Sequence, residues 1–104
     1  MAVIEVNENN YTEEVVNSDK TVLIDFNAGW CGPCRMLKPV IRQLSDELDG
    51  VKIVSVDIDE NDGLADKYEV TGIPCLVLVK NGEEIDRHVG FLPKDGLIGF
   101  IGGR

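Results

Sequence analysis

The segment from Thr21 to Asn27 carries apolar side chains at neighbouring positions, and this pattern strongly constrains the fold. Side chains of a β-strand point alternately to the two faces of its sheet, so this strand presents apolar groups on both faces. Such a strand is stable where other elements cover both faces. We therefore expect Thr21 to Asn27 to be a central strand of a sheet that is covered on both sides.

The flanking segments predict both strands and helices. A long amphipathic helix is expected from near Cys34 to just before Gly50, because its apolar positions are spaced by three and four residues, at Leu37, Val40, Ile41, Leu44 and Leu48. Asn81-Gly82 is typical of a two-residue hairpin turn. The other predicted strands are Val3 to Val6, Val51 to Ile58, Cys75 to Val79 and Ile85 to Val89, and the other predicted helices run from Asn9 or Asn10 to Asn17, from Asn61 to Tyr68 and from Pro93 to Ile101.

The order of these elements predicts an α/β fold: a mixed central sheet of about five strands flanked by about four helices. A length of 104 residues fits a single domain over residues 1–104, because domains usually have roughly 100 to 200 residues. Gly96 and Gly99 each weaken the last predicted helix by about 1 kcal/mol relative to alanine.

The charge of the chain argues against two classes of partner. Ten Lys and Arg residues against nineteen Asp and Glu residues give a net charge of −9, which disfavours nucleic acids and anionic membranes. The apolar stretches are shorter than the roughly 18 residues that a membrane helix needs. The first residues lack the basic and apolar pattern of a secretory signal, so we expect a cytoplasmic location.

Cys31 and Cys34 lie where the central strand ends and the long helix begins, separated by Gly32 and Pro33. A helix N-terminus presents free N–H groups and a partial positive charge, so it stabilises a thiolate and makes the thiol reactive. We expect the two sulfurs to meet in a disulfide, with Cys31 at the exposed end as the better nucleophile and Cys34 placed to attack a mixed disulfide. Half of a zinc site and a purely structural disulfide remain as alternatives.

These motifs together resemble the thioredoxin family. The resemblance covers nearly the whole chain and is carried by Asp25-Phe26, Trp30-Cys31-Gly32-Pro33-Cys34, Pro39, Asp59, Gly72-Ile73-Pro74, Lys80-Asn81-Gly82 and Val89-Gly90. It implies a thioredoxin fold and a monomeric protein-disulfide reductant that holds no bound cofactor and receives its electrons through a thioredoxin reductase. Disulfide-containing target proteins would be its other partners. Oxidising or isomerising relatives, which usually carry His between the cysteines, are one alternative, and a binding subunit that performs no turnover is another.

Asp25 interrupts the apolar central strand, where an unpaired carboxylate is costly to bury. By resemblance it lies beneath the cysteine pair and accepts the proton of Cys34. Loss of solvent would raise its pKa toward neutrality, which suits that role. A partly solvated structural acid is the alternative.

The resemblance also implies a surface for target proteins, which we call the docking patch: Trp30, Gly32, Pro33, Ile73, Pro74 and Gly90. The Ile73-Pro74 bond would be cis and face Cys31, and Ile73 would pair with an extended segment of the target. A core position for Trp30 and a trans Pro74 are the alternatives.

The chain departs from the common pattern of the family at three positions. Asn27 stands where Trp is usual, Ser55 stands where a Lys near the buried acid is usual, and Cys75 stands where Thr usually follows the cis proline. The first two bear on the titration of Asp25. Cys75 is expected to behave as a small buried apolar residue, with a regulatory thiol as the alternative.

Overall fold

The computed structural model describes residues 2–102 and contains one five-stranded mixed sheet. Its strands are β1 (Ile4–Glu5), β2 (Thr21–Asn27), β3 (Val51–Asp57), β4 (Cys75–Lys80) and β5 (Glu83–Val89). Their order across the sheet is β1-β3-β2-β4-β5. β3 runs parallel to both β1 and β2, whereas β4 is antiparallel to both β2 and β5. The predicted central position of β2 is confirmed.

In the part of the chain that the structure describes, four helices cover the sheet: α1 (Thr12–Val16), α2 (Gly32–Glu47), α3 (Asp62–Lys67) and α4 (Lys94–Ile101). Side chains of β2 belong alternately to two separate apolar clusters. Val22, Ile24 and Phe26 pack in one cluster, together with residues of α1 and α3, and Leu23 packs in the other, together with residues of α2 and α4. The same alternation turns Asp25 toward α2. The predicted α/β sheet with helices on both faces is therefore confirmed.

The first helix is shorter than the sequence predicts. α1 is a single wide turn in which the Asn17 amide donates to the Thr12 carbonyl at 2.9 Å, five residues earlier. Neither Asn9 nor Asn10 caps a longer helix, so this prediction is wrong. The Asn7 side-chain oxygen accepts from the Asn9 and Asn10 amides, and the Asn10 side-chain oxygen accepts from the Asn7 amide at 2.7 Å. Side-chain bonds of this kind compete with helix formation, so the chain forms a turn here.

The last two strands and the last helix form as predicted, with small shifts of their ends. The hairpin turns at Asn81 and Gly82, whose φ angles of 53° and 78° are in the left-handed region that Asn-Gly pairs tolerate. α4 forms although it contains two glycines, because Leu97 and Ile101 on its inner face are buried. A Cβ at Gly96 would lie 3.2 Å from Leu92, so this glycine also allows a close approach.

Candidate active site

The two cysteines straddle the first turn of α2. Cys31 precedes the helix in an extended conformation, and Cys34 lies in its first turn. The helix begins at Gly32, two residues earlier than predicted, because Pro33 needs no N–H partner there. The Cα atoms of Cys31 and Cys34 are 5.2 Å apart and their sulfurs form a disulfide. The Cys34 amide points at Cys31 Sγ over 3.2 Å, so a free N–H of the helix N-terminus is available to a thiolate on Cys31.

Exposure does not distinguish the two cysteines, contrary to the expectation that Cys31 is the exposed one. Each residue is only 5% exposed. Their neighbours distinguish them instead. Cys31 Sγ lies 3.9 Å from the Ile73 carbonyl oxygen, at the start of the segment that leads into β4. Cys34 borders a cavity that also contains the side chain of Asp25.

Asp25 is 5% exposed, and within residues 2–102 its Oδ1 atom has no hydrogen-bond partner. Burial raises the pKa of Asp25 from its usual 3.8 to about 7. The negative charge of Glu5 adds to this increase, and the positive charge of Lys38 opposes it. A carboxyl group with this pKa exchanges its proton near neutral pH, as the sequence predicts.

The cavity has a volume of about 540 Å³ and connects Asp25 and Cys34. Two of the unusual residues of the sequence, Asn27 and Ser55, also border it. They bond to each other, because the Asn27 amide donates to Ser55 Oγ at 2.8 Å and to the Asp25 backbone carbonyl at 2.9 Å. The Asn27 side chain is therefore held away from the Asp25 carboxyl, which keeps an unbonded oxygen.

The residues of the docking patch differ in exposure. Trp30 is 67% exposed, so it is not a core aromatic residue, and its Nε1 donates to Asp59 Oδ2 at 2.8 Å. Gly32 and Pro33 are exposed, and Ile73 and Gly90 are half-buried. Pro74 is buried, its bond to Ile73 is cis, and its carbonyl accepts from the Gly90 amide at 2.8 Å.

Cys75 begins β4 and is 0% exposed. Its backbone pairs with Phe26 on one side and with Val89 on the other, so it lies inside the sheet. Burial is the main cause of a raised pKa for this thiol. Cys75 therefore has the properties expected of a small buried apolar residue, and it holds little thiolate at neutral pH.

Two charged residues near Asp25 were not predicted from the sequence. Glu5 comes from the edge strand β1, and Lys38 comes from α2, four residues after Cys34. The helical spacing of Lys38 from Cys34 is a signal that could have found it. No comparable local signal points to Glu5, because its proximity depends on the pairing of β1 with β3. Within residues 2–102 there is no group of three or more His, Cys, Asp or Glu side chains arranged to hold a metal ion, and no helix is long and apolar enough to cross a membrane.

Comparisons with known proteins found similarity over nearly the whole chain. The sequence model of the thioredoxin family matches residues 2–102. A thioredoxin of Chlorobaculum thiosulfatiphilum is 45% identical over 92 residues, which are 88% of this chain and 85% of the relative. A thioredoxin of Staphylococcus haemolyticus is 44% identical over 98 residues, covering 93% of this chain and 92% of the relative. A thioredoxin of Haemophilus influenzae is 44% identical over 100 residues, covering 95% and 94%.

Proposed function

Since the chain belongs to the thioredoxin family, we propose that it reduces disulfide bonds of other proteins by dithiol–disulfide exchange at Cys31 and Cys34. The observation that carries this proposal is the closed cysteine pair at the N-terminus of α2, with the Cys34 amide directed at Cys31 Sγ. Gly32 and Pro33 between the cysteines favour the reducing activity over the oxidising or isomerising one.

In the first step, Cys31 is the nucleophile. Its thiolate, supported by the helix N-terminus, attacks one sulfur of the target disulfide. A bond forms between Cys31 Sγ and that sulfur, the target disulfide breaks, and the second target sulfur leaves as a thiolate. The product is a mixed disulfide between this chain and its target.

In the second step, Cys34 resolves the mixed disulfide. The ionised carboxylate of Asp25 takes the proton of the Cys34 thiol, and the resulting thiolate attacks Cys31 Sγ. The bond to the target breaks and the target leaves with both of its sulfurs reduced, while Cys31 and Cys34 form a disulfide. A pKa of about 7 suits Asp25 to this exchange. The carboxylate of a weaker acid accepts a thiol proton more readily, and at this pKa part of the Asp25 population is still ionised near neutral pH.

We assign binding of the target to the docking patch. The exposed ring of Trp30 and the exposed Gly32 and Pro33 supply apolar contact area beside the disulfide. The half-buried Ile73 offers its backbone to an extended segment of the target, as in the addition of a strand to a sheet edge. Pro74 is the buried member of the patch, and its carbonyl accepts a hydrogen bond from the amide of Gly90.

We also propose the setting in which the chain acts. It acts as a monomer and as one domain over residues 1–104 in the cytoplasm, without a bound cofactor, and a thioredoxin reductase returns it to the dithiol form. Its partners are this reductase and disulfide-containing proteins. The net charge of −9 supports the exclusion of nucleic acids and anionic membranes as partners.

A coupled assay tests the proposal. The chain is mixed with NADPH, a bacterial thioredoxin reductase and a protein that contains a disulfide, and NADPH consumption is followed. We expect turnover by the wild type, none by Cys31→Ser, and a trapped mixed disulfide with Cys34→Ser. Cys75→Ala is the matched control, because it removes the third thiol and should keep turnover.

The same assay identifies the main alternative. The chain would be a binding subunit if neither an NADPH-linked nor a ferredoxin-linked reductase supports turnover, although dithiothreitol reduces the Cys31–Cys34 disulfide of the folded protein. Turnover by Cys31→Ser would contradict the assignment of the nucleophile.

A further inference from the structure

Lys38 lies on the wall of the cavity that Asp25 and Cys34 share. It follows Cys34 by four residues in α2, so the two side chains are neighbours on one face of the helix, one turn apart. Within the described residues 2–102, the Lys38 ammonium has no carboxylate within ion-pair distance; the ion pairs of this part of the chain are Lys52 with Glu14, Arg87 with Glu84 and Lys94 with Glu47. Within these residues, the charge of Lys38 is therefore not neutralised by an ion pair.

The residue of β3 that lies beside Asp25 supplies no positive charge. Ser55 of β3 is paired in register with Asp25, and its hydroxyl accepts a hydrogen bond from Asn27. Ser55 therefore gives the Asp25 carboxylate no cation at the register position next to it. α2 supplies one, because Lys38 lowers the pKa of Asp25 in opposition to burial and to Glu5.

Other charged groups face the same cavity. α2 contributes Arg35, Arg42 and Asp46 in addition to Lys38. Glu5 of β1, Asp57 at the end of β3 and Glu60 in the following turn add negative charges. The buried thiol of Cys75 in β4 also interacts with the charge of Asp25. Among the three cations of the wall, Lys38 is the one that has a resolved effect on Asp25.

We propose that Lys38 is a positioning residue for the resolving step, whose ammonium stabilises the anion that Asp25 carries before proton transfer and that Cys34 carries after it. The inference rests on the proposed function, since it concerns the step in which Cys34 attacks the mixed disulfide. The negative charge moves from the Asp25 carboxylate to Cys34 Sγ as the proton moves the other way. Both groups line the same cavity as Lys38, so its positive charge acts on the anion before and after the proton moves.

The test compares Lys38→Gln, Lys38→Arg and the wild type in single-turnover reactions with an aromatic disulfide whose released thiol is coloured. The first release reports attack by Cys31, and the second reports resolution by Cys34. We expect Lys38→Gln to raise the pH midpoint of the second release by about half a pH unit, and to slow it about threefold below that midpoint. The first release should be unchanged, because Cys31 does not border the cavity. Lys38→Arg should restore the wild-type profile.

A second measurement makes the test independent of the rates. NMR titration of the Asp25 carboxyl carbon should show the same increase in midpoint for Lys38→Gln. Lys80→Gln is the matched control, because it removes one exposed lysine at the far end of β4 and changes the net charge equally. Unchanged midpoints in Lys38→Gln, or an equal increase in Lys80→Gln, would overturn this inference and leave the proposed function intact. A wild-type protein that completes the first release but not the second would overturn the proposed function, and the inference with it.

Discussion

Replacing Asp25 with Asn should stabilise the protein at neutral and alkaline pH. The carboxyl group is 5% exposed and one of its oxygens has no hydrogen-bond partner among the described residues, so its ionised form is poorly solvated in the folded state. Asn has nearly the same shape and never ionises. The substitution therefore removes the cost of burying the charge and leaves the packing of β2 almost unchanged.

The two pKa values of Asp25 give the size and the sign of this effect. Its pKa is raised from 3.8, the usual value that it takes in the unfolded chain, to about 7 in the folded protein. The folded protein therefore binds this proton more tightly than the unfolded chain, and it loses stability as the pH rises between these two values. At about 1.4 kcal/mol per pH unit, the loss is about 4 kcal/mol once the pH exceeds 7.

Urea unfolding of the oxidised protein, followed by circular dichroism from pH 4 to pH 8, measures the effect. The free energy of unfolding of Asp25→Asn minus that of the wild type should increase by about 4 kcal/mol across this range. A buried amide without a partner adds an offset that does not depend on pH. Asp19→Asn, which removes an exposed carboxylate, is the control and should keep the pH slope of the wild type. If the free energies of unfolding of Asp25→Asn and the wild type differed by the same amount from pH 4 to pH 8, the idea that the Asp25 carboxylate is buried without compensation would be refuted.

Three further predictions concern buried groups outside the cysteine pair. Cys75 is fully buried and its pKa is raised, so a short pulse of iodoacetamide should label it slowly in the oxidised protein; mass spectrometry checks this, and rapid stoichiometric labelling would contradict it. Tyr68→Phe should lower the free energy of unfolding by about 1 to 2 kcal/mol in urea titrations, because it removes the buried 2.6 Å bond between the hydroxyls of Tyr11 and Tyr68; an unchanged value would show that this bond adds no net stability. Leu78→Ala should lower the free energy of unfolding by about 2 to 5 kcal/mol, because Leu78 is 0% exposed in the apolar cluster beneath α2. A loss below about 1 kcal/mol would indicate that neighbouring side chains fill the space that the substitution leaves.

The chemistry of the site could be predicted from short stretches of sequence. Two cysteines at the junction of a strand and a helix are placed near free amides by the local chain alone, and the structure has the Cys34 amide directed at Cys31 Sγ. The predicted increase in the pKa of Asp25 also followed locally, because an acid in an apolar strand loses solvent wherever that strand is buried. The exposure of Cys31 could not be predicted from local sequence. It depends on Ile73 and on other residues that are distant in sequence and pack around the pair.

Local periodicity determined most of the fold. The apolar faces of β2, the spacing of apolar residues in α2 and the Asn81-Gly82 turn each depend on a few consecutive residues, so the sequence by itself determined these elements and the α/β class. Tertiary structure decided the features of the site that need residues from several segments distant in sequence. The cavity joins residues of β1, β2, α2 and β3, and the charges that act on Asp25 come from Glu5 and Lys38, which lie 20 residues before it and 13 residues after it. Electrostatic interactions depend on distance in space, and pairing of β1 with β3 and packing of α2 on the sheet set those distances.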